Sequence, residues 1–139
     1  MQTVLVLGAF GGRLDQEMQT INALFRWARR FERIALLSGD SLALLLRGGQ
    51  RHVIVPNPCL EGPTCGLIPV GRPCQRVQTS GLRWNLPSPL SGRGTKPGLA
   101  FGGLVSSSNG FADDDQPRVV VEASDDLLWT TELSFGNVE

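Results

Sequence analysis

The sequence lacks the charge imbalance of typical nucleic-acid-binding proteins, because its 139 residues carry 13 basic and 13 acidic side chains. This balance excludes a strongly basic nucleic-acid binder and an acidic tail protein. Any anion that the chain binds must be held by a few placed groups. Long apolar runs are also missing, since residues 4–7 and 42–46 are too short for a signal sequence or a bilayer span. We expect no nucleic-acid partner and no membrane segment.

Histidine and cysteine are scarce. His52 is the single histidine, so no Ser/His/Asp set can be argued, and a lone histidine is more typical of a half-buried position in a sheet. The three cysteines, Cys59, Cys65 and Cys74, are an odd number and lack the paired CxxC spacing of a zinc site. We therefore expect reduced, structural thiols in a cytoplasmic protein.

The first part of the chain has the pattern of a strand, a helix and a second strand. Residues 4–7 form an unbroken apolar run, which is typical of a parallel strand buried on both faces. A glycine-rich turn (residues 8–12) follows, and apolar residues then recur at helical spacing from Met18 to Phe31. The run at residues 34–37 predicts the second strand. We interpret residues 1–47 as the C-terminal piece of an α/β domain.

The second part, residues 48–139, is divided into short strand-like segments by Gly and Pro. We predict strands at residues 51–55, 65–70, 74–79, 81–86, 99–106, 118–123 and 127–133. Seven short strands favour an antiparallel β-sandwich or an open barrel. Residues 87–98, rich in Pro, Gly and Ser, are predicted to form a flexible loop. The predicted fold class is therefore α+β, with an α/β remnant followed by a β-sandwich.

A first candidate site lies after the glycine-rich turn, where Arg13, Asp15 and Gln16 bring a guanidinium, a carboxylate and an amide together. Ligands of open α/β sheets bind at such turns, outside the carboxyl ends of the strands. Arg13 could contact a phosphate through two hydrogen bonds. Asp15 could hold a divalent cation or cap the helix. The alternative is a simple tight connection between strand and helix.

A second candidate site is the run of small polar residues that ends in Ser106, Ser108 and Asn109. Strand alternation predicts Ser106 and Ser108 on one side of the chain, where hydroxyls and an amide could bind a neutral heteroaromatic ring. The alternative is a serine-rich strand end that leads into a loop. Trp84 and Trp129 are expected in the core or at its rim, or as a stacking face for a flat ligand.

These segments resemble the C-terminal part of the eukaryotic thiamine pyrophosphokinase family. The resemblance rests on LGAFGGRLDQ at residues 7–16, CGLIPVG at 65–71, TSGLRWNL at 79–86, the stretch 101–109 with LVSSSN, and LLWT at 127–130. It implies a cytoplasmic homodimer that transfers a diphosphate group from ATP to thiamine with Mg²⁺, at a site formed between subunits. It further implies catalytic roles for Arg13, Asp15 and Gln16.

The resemblance also implies thiamine-binding roles for Ser106, Ser108 and Asn109, and it matches Trp84 to a family aromatic. Two departures from the family stand out. Its acidic motifs, Gly-Asp-x-Asp-Ser and Asp-Gln-Asp-x-Thr-Asp, are absent from this sequence, and residues 87–98 lengthen a usually short connection. Because those carboxylates would hold the Mg²⁺, we expect no meaningful turnover from this chain alone. Two alternatives stay open: a non-catalytic thiamine-binding or dimerisation module, and a product that does not fold stably.

Overall fold

The computed structural model describes residues 2–87 and 98–135. One helix and nine strands are formed by these residues: β1 Thr3–Leu7, α1 Leu14–Trp27, β2 Arg33–Leu37, β3 Ser41–Leu46, β4 Arg51–Ile54, β5 Glu61–Ile68, β6 Val77–Ser80, β7 Ser106–Gly110, β8 Val119–Ala123 and β9 Leu127–Leu133. Most of the predicted loop at residues 87–98 lies outside the described residues. No helix in the described part is long and apolar enough to cross a membrane.

The strands form two sheets. The six-stranded sheet has the order β1-β2-β3-β9-β5-β7, and the three-stranded sheet has the order β4-β8-β6. β1 and β2 pair in parallel, as the strand–helix–strand pattern predicts, and the other pairs are antiparallel. β3 pairs with β9 over six positions, so residues on both sides of the predicted boundary at 47/48 belong to one sheet. The division into 1–47 and 48–139 stays a prediction.

Each face of the six-stranded sheet packs against a different layer. One face contributes Leu67, Leu127 and Trp129 to a core shared with β6 and β8 of the smaller sheet. On the opposite face, Ala43 and Leu128 pack against α1. The alternation of side chains along β3 and β9 serves both cores, and this explains why residues 42–46 of β3 and 127–129 of β9 are continuous apolar runs.

Several sequence expectations are wrong in detail. Segments 81–86 and 99–106 are not strands, and the strand in the second region is β7 instead. The predicted strands do not include β3. The helix ends at Trp27 rather than Phe31. The run at residues 4–7 is not buried on both faces, because Leu5 and Leu7 are 64% and 79% exposed.

The turn between β8 and β9 ties the loop before β6 to the rest of the fold. The Asp125 carboxylate accepts hydrogen bonds from the Ser124 hydroxyl (2.7 Å) and the Gln75 amide (3.1 Å), and it lies 3.1 Å from Arg72 Nε. These bonds, the Ser124 hydroxyl foremost, hold the pKa of Asp125 below its usual value. A depressed folded-state pKa means that the carboxylate stabilises the fold above the ordinary aspartate range, and that this stabilisation is lost as the pH falls.

We expect Asp125→Asn to lower the free energy of unfolding at pH 7 by about 1–2 kcal/mol, because charged hydrogen bonds are replaced by weaker ones. The variant should also lose part of the acid sensitivity of the native protein between about pH 5 and pH 3. Urea unfolding across that range measures both. Asp114→Asn, at an exposed carboxylate 3.8 Å from Arg83 Nη2, is the control. Equal pH profiles for Asp125→Asn and the native chain would contradict the assignment.

Candidate functional site

The glycine-rich turn brings the first candidate residues to the carboxyl ends of two parallel strands. Gly8 and Gly11 have φ angles of +70° and +106°, a region that glycine adopts without strain. The Ala9 amide donates to Leu37 O (2.9 Å), which ties the turn to the end of β2. Arg13 then stands at the N-cap of α1. Ligands bind at this edge of α/β sheets.

Arg13, Asp15 and Gln16 lie together at the start of α1. The Arg13 guanidinium donates two hydrogen bonds to the Asp15 carboxylate, from Nη2 at 2.5 Å and from Nε at 3.1 Å. Both side chains are largely exposed, and exposed ion pairs contribute at most about 1 kcal/mol. An incoming phosphate can therefore displace the Asp15 carboxylate from Arg13 at small cost. The Arg13 side chain makes no cap hydrogen bond to the helix.

The serine segment departs from simple alternation. β7 places Asn109 opposite Cys65 and Ser106 opposite Leu67, so three steps along β7 match two along β5. This bulge coincides with a φ of +53° at Ser108. The prediction that Ser106 and Ser108 face the same side is therefore wrong. Ser106 is buried on the core side, whereas Ser108 lines a cavity on the other face of the sheet.

That cavity has a volume of about 400 Å³ and lies over β3, β9, β5 and β7. It will be called the β7 cavity. Its lining consists of hydroxyls, two carboxylates and a few small groups: Asp40, Ser41, Thr64, Cys65, Gly66, Ile68, Ser107, Ser108, Thr130 and Glu132. None of these residues is basic, so the cavity favours a cation or a neutral polar ring over an anion. Burial raises the pKa of the Cys65 thiol to about 12, so this group stays protonated.

The β7 cavity and the start of α1 share one face and one end of the six-stranded sheet. Thr130 and Glu132 alternate with Trp129 along β9, and so they lie on the face that carries α1. Ser41 pairs with Glu132 just after the turn that follows β2. At the end of this face where α1 begins, Arg13 therefore lies on one side and the β7 cavity on the other.

Sequence reasoning missed Ser107, Thr130 and Glu132 as cavity residues. A signal for the last two does exist, because Thr130 and Glu132 follow the apolar Leu128 on one face of β9. A polar pair on one face of such a strand indicates that the apolar cover ends there. Ser107 could not be found in this way, since its direction depends on the bulge in β7.

Ser106 and Asn109 lie on the core side, beside Trp84. The Asn109 side chain is 6% exposed and is bonded to the backbone of Trp84 on both its amide and its carbonyl. Trp84 itself is 60% exposed, whereas Trp129 is completely buried. Trp129 is therefore a core residue, which is one of the two alternatives for the tryptophans. Trp84 presents an exposed aromatic face, which the other alternative, stacking on a flat ligand, requires.

The described residues contain no group of three or more His, Cys, Asp or Glu side chains arranged to hold a metal ion. Asp15, the residue for which a cation was one alternative, is bonded to Arg13 instead. The three cysteines are free thiols, two of them buried. His52 Nε2 lies 2.9 Å from Arg47 O in a half-buried position, as expected for a lone histidine in a sheet.

Comparisons with known proteins point to one family. The family model described as "Thiamin pyrophosphokinase, vitamin B1 binding domain" matches residues 51–128. Thiamine pyrophosphokinase 1 of Arabidopsis thaliana is 42% identical over 130 residues, which are 94% of this chain and 44% of the relative. Thiamine pyrophosphokinase 1 of Oryza sativa subsp. japonica is equally similar, with the same coverage. The chain thus spans less than half the length of these curated relatives.

Solved structures agree with the sequence comparisons. The crystal structure of yeast thiamin pyrophosphokinase superposes with a TM-score of 0.76 at 27% identity. The match covers 94% of this chain and 39% of the yeast chain. Thiamin pyrophosphokinase from Candida albicans gives a TM-score of 0.75 at 26% identity, over 95% of this chain and 44% of that one. The mostly β architecture with one short helix is therefore that of these proteins.

Proposed function

Because the chain belongs to the thiamin pyrophosphokinase family through its vitamin B1 binding domain, we propose that it supplies the thiamine-binding part of an enzyme that makes thiamine diphosphate and AMP from thiamine and ATP. The β7 cavity carries this proposal. It is lined by hydroxyls and by two carboxylates, without a basic residue. Thiamine has a permanently cationic thiazolium ring, for which such a lining is electrostatically suited, and hydroxyls suit its neutral aminopyrimidine.

Ser108 and its neighbour Ser107 would bind thiamine through their hydroxyls, and Glu132 would lie near its positive charge. Trp84 flanks β7 from outside the sheet, because the Arg83 amide donates to Gly110 O at 2.8 Å. Trp84 is not part of the cavity lining and lies beside Asn109 on the core side, so its exposed indole would stack on a flat ring of the ligand that extends past the β7 edge. The resemblance gives Ser106 and Asn109 a role in thiamine binding. Because both side chains are buried, they would act from behind the residues that contact the ligand.

Arg13, Asp15 and Gln16 would serve the phosphate side of the reaction. The thiamine hydroxyl oxygen forms a bond to the β-phosphorus of ATP, the bond from that phosphorus to the oxygen shared with the α-phosphate breaks, and AMP leaves with this oxygen. The hydroxyl proton passes to solvent. The Arg13 guanidinium, once released from Asp15, would bind phosphate oxygens and stabilise the charge that develops on them. Gln16 would donate from its amide.

Mg²⁺ is the metal that the family resemblance implies. The described residues do not fit it, since they hold no cluster of three His, Cys, Asp or Glu side chains that could bind the ion. The carboxylates that bind the metal would therefore have to come from residues other than these.

We further propose that the working unit is a homodimer in which β1, α1 and β2 belong to an α/β nucleotide-binding domain and the antiparallel strands to a β-sandwich. β1 leads into Arg13, and β7 lies at the opposite edge of the six-stranded sheet. Five strand spacings of about 4.8 Å separate these edges by about 24 Å. A second copy that places its Trp84 near the Arg13 end of the first would bring both groups to one ligand.

Thiamine titration of the 139-residue chain, followed by calorimetry, tests the proposal. We expect binding to the native chain and roughly 10-fold weaker binding after Glu132→Gln or Ser108→Ala, since each loses one charge-assisted or hydrogen-bonded contact. Glu122→Gln is the matched control, because Glu122 pairs with Arg51 on the smaller sheet, away from the β7 cavity. Equal affinities for Glu132→Gln and Glu122→Gln would contradict the proposed site.

A second candidate function is a non-catalytic thiamine-binding or dimerisation module, and the lack of a carboxylate cluster among the described residues favours it for the chain on its own. Thiamine-dependent release of AMP from ATP and Mg²⁺ separates the two. A bound but unconverted thiamine assigns the isolated chain to the module. Measurable AMP release would show that the 139 residues are catalytically sufficient.

A further inference from the structure

The Asn109 side chain has no hydrogen-bonding capacity left for a ligand. Its Oδ1 accepts from the amides of Trp84 (3.2 Å) and Gly110 (2.8 Å). Its Nδ2 donates to Trp84 O (2.9 Å) and to Ser106 Oγ (3.3 Å). A carboxamide offers two acceptor and two donor positions, so all four are used. A thiamine contact with Asn109 would have to break one of these bonds in a buried position, which is unfavourable because a buried polar group is then left without a partner.

Two of those bonds fix the backbone of Trp84 on both of its polar groups. The Asn109 side chain therefore does for this one residue what a neighbouring strand does for a residue in a sheet. Arg83, one position earlier, is bonded to Gly110 by its amide at 2.8 Å. The residue that carries the exposed indole is thus attached to the edge of β7.

A second carboxamide also holds this turn through hydrogen bonds. Asn85 Oδ1 accepts from the amide of Leu82 (3.1 Å) and from the hydroxyl of Thr79 (3.0 Å). The Thr79 hydroxyl also accepts from the amide of Leu86 at 2.8 Å. Asn85 and Asn109 therefore hold the backbone on both sides of Trp84, and this set of residues, 82–85, will be called the Trp84 turn.

Fixing this turn matters because the Trp84 indole is largely exposed and burial does little to restrain it. The Arg83 guanidinium lies 5.7 Å from the ring centroid, and a cation–π contact at such an exposed site is weak. Without the Asn109 carboxamide, both polar backbone groups of Trp84 would lose their partners, and the turn would be held chiefly by the Arg83 amide and the buried Leu82. A ligand that stacks on the indole would then have to order the turn on binding, and its affinity would fall by that entropy.

We propose that Asn109 and Asn85 are positioning residues, which hold the Trp84 indole in place for a flat ligand ring and do not contact the ligand themselves. The identity of the ring as thiamine rests on the proposed function. The ordering of the turn does not, because it follows from the hydrogen bonds alone.

The experiment combines a mutant cycle with a direct measure of Trp84 mobility. Asn109→Ser and Asn85→Ala are made in the native chain and in a Trp84→Ala chain, and thiamine affinity is measured by calorimetry. We expect each to weaken binding roughly 10-fold in the native chain and to have no further effect without Trp84, since coupled residues are not additive. Asn57→Asp is the matched control, at an asparagine whose Oδ1 accepts from the Cys59 amide in the loop between β4 and β5.

The mobility of Trp84 is read by time-resolved fluorescence anisotropy in a Trp27→Phe background, with the buried Trp129 as internal reference. Both variants should increase the fast anisotropy decay of Trp84, and Asn57→Asp should not. Equal losses of affinity with and without Trp84 would overturn the proposal and make Asn109 a ligand contact. Unchanged anisotropy in both variants would overturn it as well. If the native chain binds no thiamine, the proposed function fails while the anisotropy still decides the positioning role. Should Asn109→Ser not fold, Asn85→Ala carries the same test.

Discussion

Replacing Trp129 by alanine will remove a large part of the stability of this fold, about 3–5 kcal/mol. Trp129 is completely buried and lies in the core between the two sheets, together with Leu67 of β5 and Val121 of β8. Its removal leaves a large cavity at the place where both sheets meet, and a rigid pair of sheets cannot close over it. A domain of this size has only about 5–15 kcal/mol in total, so the urea midpoint should fall sharply.

The matched variant is Trp129→Phe. Within the described residues, the Trp129 indole nitrogen has no hydrogen-bond partner, so phenylalanine loses volume without breaking a polar contact. We expect it to lower the free energy of unfolding by less than about 2 kcal/mol. Trp27→Ala, on the exposed side of α1, should change it by less than about 1 kcal/mol. Similar losses for Trp129→Ala and Trp27→Ala would show that the two sheets do not share this core.

Local patterns in the sequence are sufficient for the elements whose partners are close in the chain. β1, α1 and β2 follow one another, and periodicity predicts each of them together with their parallel arrangement. The helix is four residues shorter than predicted. Its spacing of apolar residues continues through Ala28 and Phe31, and periodicity does not mark where the backbone leaves the helix.

Distant pairing explains the errors in the rest of the fold. β3 pairs on one side with β2, directly before it in the chain, and on the other with β9, whose residues lie more than 80 positions away, and no local signal reports the second partner. Segment 81–86 has strand-like composition, yet Asn85 and Asn109 bond it into a turn. Hydrogen bonds from these side chains compete with β pairing, and a count of apolar residues does not reveal them.

The positions of the candidate site residues are likewise only partly predictable from the sequence. The position of Arg13, Asp15 and Gln16 after a strand and a glycine turn identifies them from sequence, and the structure puts them there. For the serine segment, which the resemblance selects, alternation assigns the wrong sides, because the bulge opposite Cys65 and Leu67 adds a residue to β7. The roles of all six residues stay predictions.

Gly81→Ala should have the second large effect, and it links the stability of the fold to the Trp84 turn. Gly81 has a φ of +82°, and a Cβ at this position would lie 1.9 Å from Arg118 O, just before β8. The Gly81 carbonyl also accepts from the Ala112 amide at 2.9 Å. Either β8 or the turn that begins here must move, so we expect a loss of more than about 3 kcal/mol.

Gly102→Ala separates the conformational part of that effect from the steric part. Gly102 has the same φ of +82°, but a Cβ there meets nothing within 4 Å. The left-handed conformation alone should lower the free energy of unfolding by about 1–2 kcal/mol, so the difference between the two variants in urea unfolding measures the close approach at Gly81. Because Gly81 directly precedes the Trp84 turn, Gly81→Ala should also weaken thiamine binding at concentrations of urea where the chain is still folded, whereas Gly102→Ala should not. Equal losses of stability in the two variants would mean that the chain can move away from Arg118 freely, and that the Trp84 turn is not held in one position for a ligand.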